Sequence, residues 1–113
     1  MTNYQRGHDA EKVAATYLKK RGYEVLELNW RTRLCEIDIV AKKRNVIYFV
    51  EVKSRSSDKQ GSGLDYITQA KLKQMRFAAE CWANDHDYNG DYELAAIEIC
   101  NNTTVSSFIA SIS

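Results

Sequence analysis

Between Val46 and Lys53 the chain reads Val-Ile-Tyr-Phe-Val-Glu-Val-Lys, and no other stretch limits the fold as tightly. β-branched and aromatic residues fill it, which predicts a strand. Side chains alternate along a strand. Val46, Tyr48, Val50 and Val52 therefore share one face, and Ile47, Phe49, Glu51 and Lys53 the other. The first half is apolar on both faces, the mark of a central strand covered on both sides. The second half turns charged on one face only, so Glu51 and Lys53 must emerge where the core ends.

The flanking segments supply the partners. From about Thr2 to Arg21 the apolar residues Ala10, Val13, Ala14, Tyr17 and Leu18 recur at helical spacing, and Gly22 is placed to stop that helix. Strands are predicted over Glu24–Trp30, Cys35–Ala41 and Val46–Ser54, joined by connections short enough for an antiparallel meander. In the second of these, Cys35, Ile37, Ile39 and Ala41 are expected on one face and Glu36, Asp38 and Val40 on the other. Ser54 to Gly63 is polar and rich in small residues, a loop by composition. A second helix is expected from about Thr68, a good cap, to Asn84. Strands follow over Tyr92–Cys100 and Val105–Ile112. The order α-β-β-β-α-β-β makes one domain over residues 1–113, an α/β sandwich with a mixed central sheet.

Charge is divided unevenly along this chain. Residues 1–76 hold all 16 Lys and Arg and 9 of the acidic residues, whereas residues 77–113 hold 6 acidic residues and no Lys or Arg. The net charge of +1 thus conceals a basic region that suits an anionic polymer. Three cysteines without CxxC spacing argue against a disulfide framework and for a reducing, cytoplasmic setting. No apolar run reaches the roughly 20 residues of a membrane span, and the first residues lack the apolar core of an export signal.

Pairing of the Cys35 and Val46 strands would set Asp38 opposite the Glu51–Lys53 end. Two carboxylates held together raise one another's pKa unless a cation lies between them. Hard oxygen donors in this number suit Mg²⁺, with Mn²⁺ as a substitute. Lys53 projects from the same face about 6.6 Å beyond Glu51, within reach of a scissile phosphate or an attacking water. Taken singly, each of these residues also reads as an ordinary surface charge; together they read as a metal site for phosphodiester hydrolysis. Arg31, Arg33, Lys42, Lys43, Arg44, Arg55, Lys59, Lys71 and Lys73 are the candidates for contact with nucleic-acid phosphates, which fix position without reading sequence.

Three blocks carry a resemblance. They are Gly7-x-x-Ala10-Glu11-x-x-Ala14-x-x-Tyr17-Leu18-x-x-x-Gly22-Tyr23, then Asn29-Trp30-Arg31 with Cys35-Glu36-Ile37-Asp38-Ile39-Val40-Ala41, and finally Phe49-Val50-Glu51-Val52-Lys53-Ser54-Arg55. In this order they resemble the YraN-like family of predicted endonucleases, of the PD-(D/E)xK group and related to archaeal Holliday junction resolvases. The resemblance implies a restriction-endonuclease-like three-layer sandwich. It also implies Asp38, Glu51 and the Val52 carbonyl as metal ligands, Lys53 as the catalytic lysine, and Glu11 and Glu36 as further acids at the same site. Thr68 and Lys71 match a Thr-x-x-Lys at the start of the second helix. Cys35 and Ala10 stand where the family has glycines, and Tyr92-Glu93-Leu94 replaces an Arg-Phe-Asp-Val-like strand start. The expected activity is a Mg²⁺-dependent, structure-selective endonuclease acting on DNA in repair or recombination. A non-catalytic nucleic-acid-binding or protein-interaction module on the same scaffold is the alternative. Enzymes of this fold that cut both strands often pair, so a homodimer is among the expectations.

Overall fold

The computed structural model describes the backbone of residues 3–56 and 64–112, and side chains over 9–56 and 64–112. Lys59 and the 57–63 part of the polar loop lie outside the described residues. The elements are α1 (Asn3–Lys20), β1 (Glu24–Arg31), β2 (Glu36–Lys43), β3 (Val46–Arg55), α2 (Gln69–Asp85), β4 (Asp91–Cys100) and β5 (Thr104–Ile109). This is the expected order, with boundaries shifted by a few residues.

One five-stranded sheet runs β1-β2-β3-β4-β5, so β3 is central as its two-sided apolar half requires. β3 and β4 pair in parallel and the other neighbours antiparallel. A parallel pair needs a crossover, and α2 supplies it. The two helices cover opposite faces. Ala10, Ala14 and Leu18 of α1 pack on Ile39, Ala41, Val50, Ala95, Ile97 and Ile99. Leu72, Met75, Ala78, Ala79 and Trp82 of α2 pack on Ile37, Val40, Ile47, Phe49 and Leu94. The result is three layers, α/β/α.

Local chemistry fixes the ends. Gly22 has φ +91°, a region open to glycine. Its N–H donates to the Lys19 carbonyl at 3.1 Å while Tyr23 N–H reaches back to Leu18 at 3.0 Å, which closes α1 in a Schellman motif. Thr68 caps α2 by accepting the Lys71 N–H at 3.1 Å. Arg44 and Asn45 both have positive φ, as a two-residue hairpin turn of the type I′ family needs.

One expectation needs correction. The predicted common face of Cys35, Ile37, Ile39 and Ala41 is broken. Ile39 and Ala41 lie under α1, whereas Ile37, with half-buried Cys35, packs on the α2 side. The break falls at Asp38. β2 pairs with β3 no further than Ile39↔Val50, while β3 continues to Arg55 against β4. On the other side of β2, Asn29 of β1 has φ +54°. A strand released on one side and opposed by a left-handed residue on the other can turn over.

Candidate functional site

The site forms where β2 parts from β3. Beyond Val50 the backbone of β3 has lost a ladder partner on that side, and a part-buried N–H must find another acceptor. Asp38 provides it: its Oδ2 accepts the Val52 N–H at 2.8 Å. The N–H and C=O of a strand residue face the same neighbour, so the Val52 carbonyl opens on the same gap. Glu51, one residue earlier, emerges on the α2 face with Phe49.

The electrostatics follow from that geometry. Burial first, and then the neighbouring Glu51 charge, raise the Asp38 carboxyl to about 7. The Val52 N–H opposes the rise, and Glu11 and Glu36 add to it. The acid at position 11 thus reaches Asp38's field from the opposite helix layer, with only 9% of its surface exposed. Glu36 is exposed and pairs with Arg31 at 3.8 Å. Glu51 Oε2 is met by Lys71 Nζ at 2.9 Å, from the capped first turn of α2. The structure therefore brings Asp38, Glu51, Glu11, Glu36 and Lys71 together.

A cavity of about 640 Å³ opens over this group, lined by Glu36, Asp38, Glu51, Lys71, Lys73 and the apolar Leu34, Met75 and Phe77 among others. That size is typical of ligand pockets. Among the described residues no group of three or more His, Cys, Asp and Glu side chains is arranged to hold a metal ion. The oxygen donors on offer are the Asp38–Glu51 pair and the Val52 carbonyl. Mg²⁺ keeps several waters and takes only one or two carboxylates besides, so this donor set fits it. Lys53 lies off the cavity wall, with its ammonium 5.3 Å from the centre of the Tyr66 ring.

The cations expected to contact phosphate divide into groups. Arg31 and Arg33 stand at the β1–β2 hairpin, and Lys71 and Lys73 on α2, all at the Asp38 end of the sheet. Lys42, Lys43 and Arg44 surround the β2–β3 turn, roughly 13 Å or more of strand away from Asp38. Lys43 is committed there, donating to the Arg21 carbonyl at 2.9 Å and lying over the Tyr23 ring. Arg55 pairs with Glu98, which is 5% exposed and also accepts from Ser106 Oγ at 2.7 Å. Arg55 therefore serves a buried acid rather than an open surface.

Sequence reasoning missed Tyr66. Its hydroxyl is buried without a hydrogen-bond partner among the described residues. Burial first, then the Glu51 and Asp38 charges, hold the phenol above its ordinary value, so it stays protonated. No periodicity marks it; its place beside the Thr68 cap was the one available signal. Cys35, whose role the sequence left open, packs beside α2 and approaches Cys81.

Comparison with known proteins gives a consistent family. Residues 10–102 match the family described as "Uncharacterised protein family UPF0102". A UPF0102 protein of Chlorobium chlorochromatii is 46% identical over 67% of this chain and 59% of its own length. Relatives in Agrobacterium fabrum and Chloroherpeton thalassium are 40% and 37% identical, over 80% and 87% of this chain and 72% and 77% of theirs. The chain thus spans under two-thirds of the Chlorobium relative and about three-quarters of the other two. With the YraN-like blocks from Ala10 onward falling inside the matched region, the chain belongs to the UPF0102 family.

Proposed function

We propose that this protein is a metal-dependent endonuclease of the restriction-endonuclease-like, PD-(D/E)xK kind, hydrolysing phosphodiester bonds in structured DNA. One observation carries the reading. Asp38 and Glu51 are crowded at the end of the central strand, in a cavity, with Asp38 raised to about 7 and Lys71 as the close cation on Glu51. Strongly perturbed carboxyls in a cleft mark functional sites more often than structural ones.

When bound by Asp38, Glu51 and the Val52 carbonyl, Mg²⁺ or Mn²⁺ supplies Lewis acidity toward a phosphate oxygen and a water. The remaining work falls to the chain. Lys53 offers positive charge to the phosphate oxygens as negative charge builds on them. Glu11 and Glu36 hold a water in line with the phosphate. Lys71, paired with Glu51 at 2.9 Å on the cavity wall, would meet the phosphate. Arg31, Arg33 and Lys73 grip neighbouring phosphates at the same end of the sheet, which makes binding salt-dependent and indifferent to sequence.

The test is direct. Purified protein with Mg²⁺ or Mn²⁺ should nick branched, flapped or single-stranded DNA, and Lys53→Ala should lower that cleavage at least a hundredfold with binding retained. Absence of metal-dependent cleavage across such substrates ends the enzyme reading. The Lys71–Glu51 ion pair favours one second reading, a binding module whose carboxylate is already neutralised by lysine. That module would keep its DNA affinity in Asp38→Ala and ignore divalent ions.

A further inference from the structure

The cavity that holds Asp38 and Glu51 has a second wall of different chemistry. Leu34 is 79% exposed and Phe77 50% exposed, and both line it beside Met75 and Ala78. Leu34 is held in place. At the β1–β2 hairpin tip Thr32 Oγ1 accepts the N–H groups of Leu34 at 3.1 Å and Cys35 at 3.3 Å, and Thr32 N–H donates to the Cys35 carbonyl at 2.9 Å. Phe77 rises from α2 one turn beyond Lys73, so the aromatic ring and the ammonium share a face of that helix. Single exposed apolar residues need no explanation, but two large ones lining the same charged cavity point to a binding surface.

The charge pattern selects the occupant. Lys71 and Lys73 call for an anion in this cavity, and Leu34 and Phe77, which line it too, for a flat apolar group. A nucleotide carries both groups in one molecule. A base within an intact duplex is stacked on its neighbours and hides its faces, whereas an unpaired or flipped base exposes them. We propose that Leu34 and Phe77 hold an unpaired nucleobase whose phosphate lies against Lys71 and Lys73, so that the site selects nucleic acid with unstacked bases over continuous duplex. This rests on reading Asp38 and Glu51 as the phosphodiester site, and it assigns that site its substrate class.

Binding measured without cleavage separates the two claims. Fluorescence anisotropy with Ca²⁺ in place of Mg²⁺ would compare a single-stranded oligonucleotide and a blunt duplex, using wild type, Phe77→Ala, Phe77→Trp and Leu34→Ala. Base–aromatic stacking of ordinary strength makes Phe77→Ala lose about tenfold in affinity for the single strand, with duplex affinity changed less than twofold. Phe77→Trp should restore binding, and Leu34→Ala should fall between. Equal loss on both probes, or no loss on either, overturns the inference while leaving the cleavage reading standing. A concentration-dependent dimer by sedimentation that Phe77→Ala dissolves also overturns it, because the surface then meets a second copy of the chain. If wild type binds neither probe, the nuclease reading falls too.

Discussion

Two acids lie at the same end of this sheet, and their surroundings differ sharply. Glu98 on β4 is enclosed by Arg55 and by the Ser106 hydroxyl, so its charge is neutralised by groups the fold places there. Asp38 on β2 receives one backbone N–H and faces the negative fields of Glu51, Glu11 and Glu36, with Lys71 engaged on Glu51. Both acids border β3, at Val52 for one and Lys53 for the other. A fold able to balance one acid so fully could have balanced its neighbour. On the proposed reading, the corner at Asp38 is left for a ligand, at a cost in stability.

Breaking the balanced corner should have the largest effect. Arg55→Ala strands a buried carboxylate, a change that costs roughly 3–5 kcal/mol in comparable settings, and urea denaturation should show the loss. At the other corner the sign reverses. The Asp38 carboxyl moves from 3.8 to about 7 on folding, so its contribution to stability is complete below pH 4 and is lost as pH rises to 7. Asp38→Asn keeps an acceptor for Val52 N–H and removes the charge. Without divalent ions it should exceed wild type at pH 8 by about 4 kcal/mol at most. The difference between the two proteins should shrink steadily as pH falls from 7 to 4. A difference that does not vary over that window would show that the two corners are alike.

The smallest effect sharpens the comparison at its edge. Tyr66 stands between the corners, near the carboxylates and under the Lys53 ammonium, with its hydroxyl unsatisfied among the described residues. Tyr66→Phe should gain about 1 kcal/mol in thermal or urea unfolding, because a buried unmet donor is removed, and should weaken cleavage severalfold. A stability loss instead would mean that the hydroxyl is structural.

Much of this was legible in the sequence because strong periodicities carried it. The α1 stripe at Ala10, Ala14 and Leu18, the Gly22 stop, the Thr68 cap and the two-sided apolar run of β3 each impose their element locally. The shared end of Asp38 and Glu51 followed from alternation once hairpin pairing was assumed. What escaped is non-local. Arg55 and Glu98 meet only because β3 and β4 pair in parallel, and no spacing rule joins residues so far apart in sequence. Alternation also fails where β2 leaves β3 and Asn29 turns left-handed, so Ile37 changes face. The basic run Lys42-Lys43-Arg44 reads like part of a phosphate surface, but the length of β2 carries it to the far end of the sheet. Leu34 and Phe77 are ordinary residues until the hairpin and α2 bring them to one cavity, and Tyr66 until the fold buries it near the Glu51 and Asp38 charges.

The central claim is that Asp38 and Glu51 form a cation site, and calorimetric titration of Mg²⁺ at pH 8 tests it most directly. Wild type should bind one or two ions saturably, and Asp38→Asn should give only heats of dilution while remaining folded and the more stable protein in EDTA. Identical isotherms for the two proteins, whether both bind or neither does, would contradict the account.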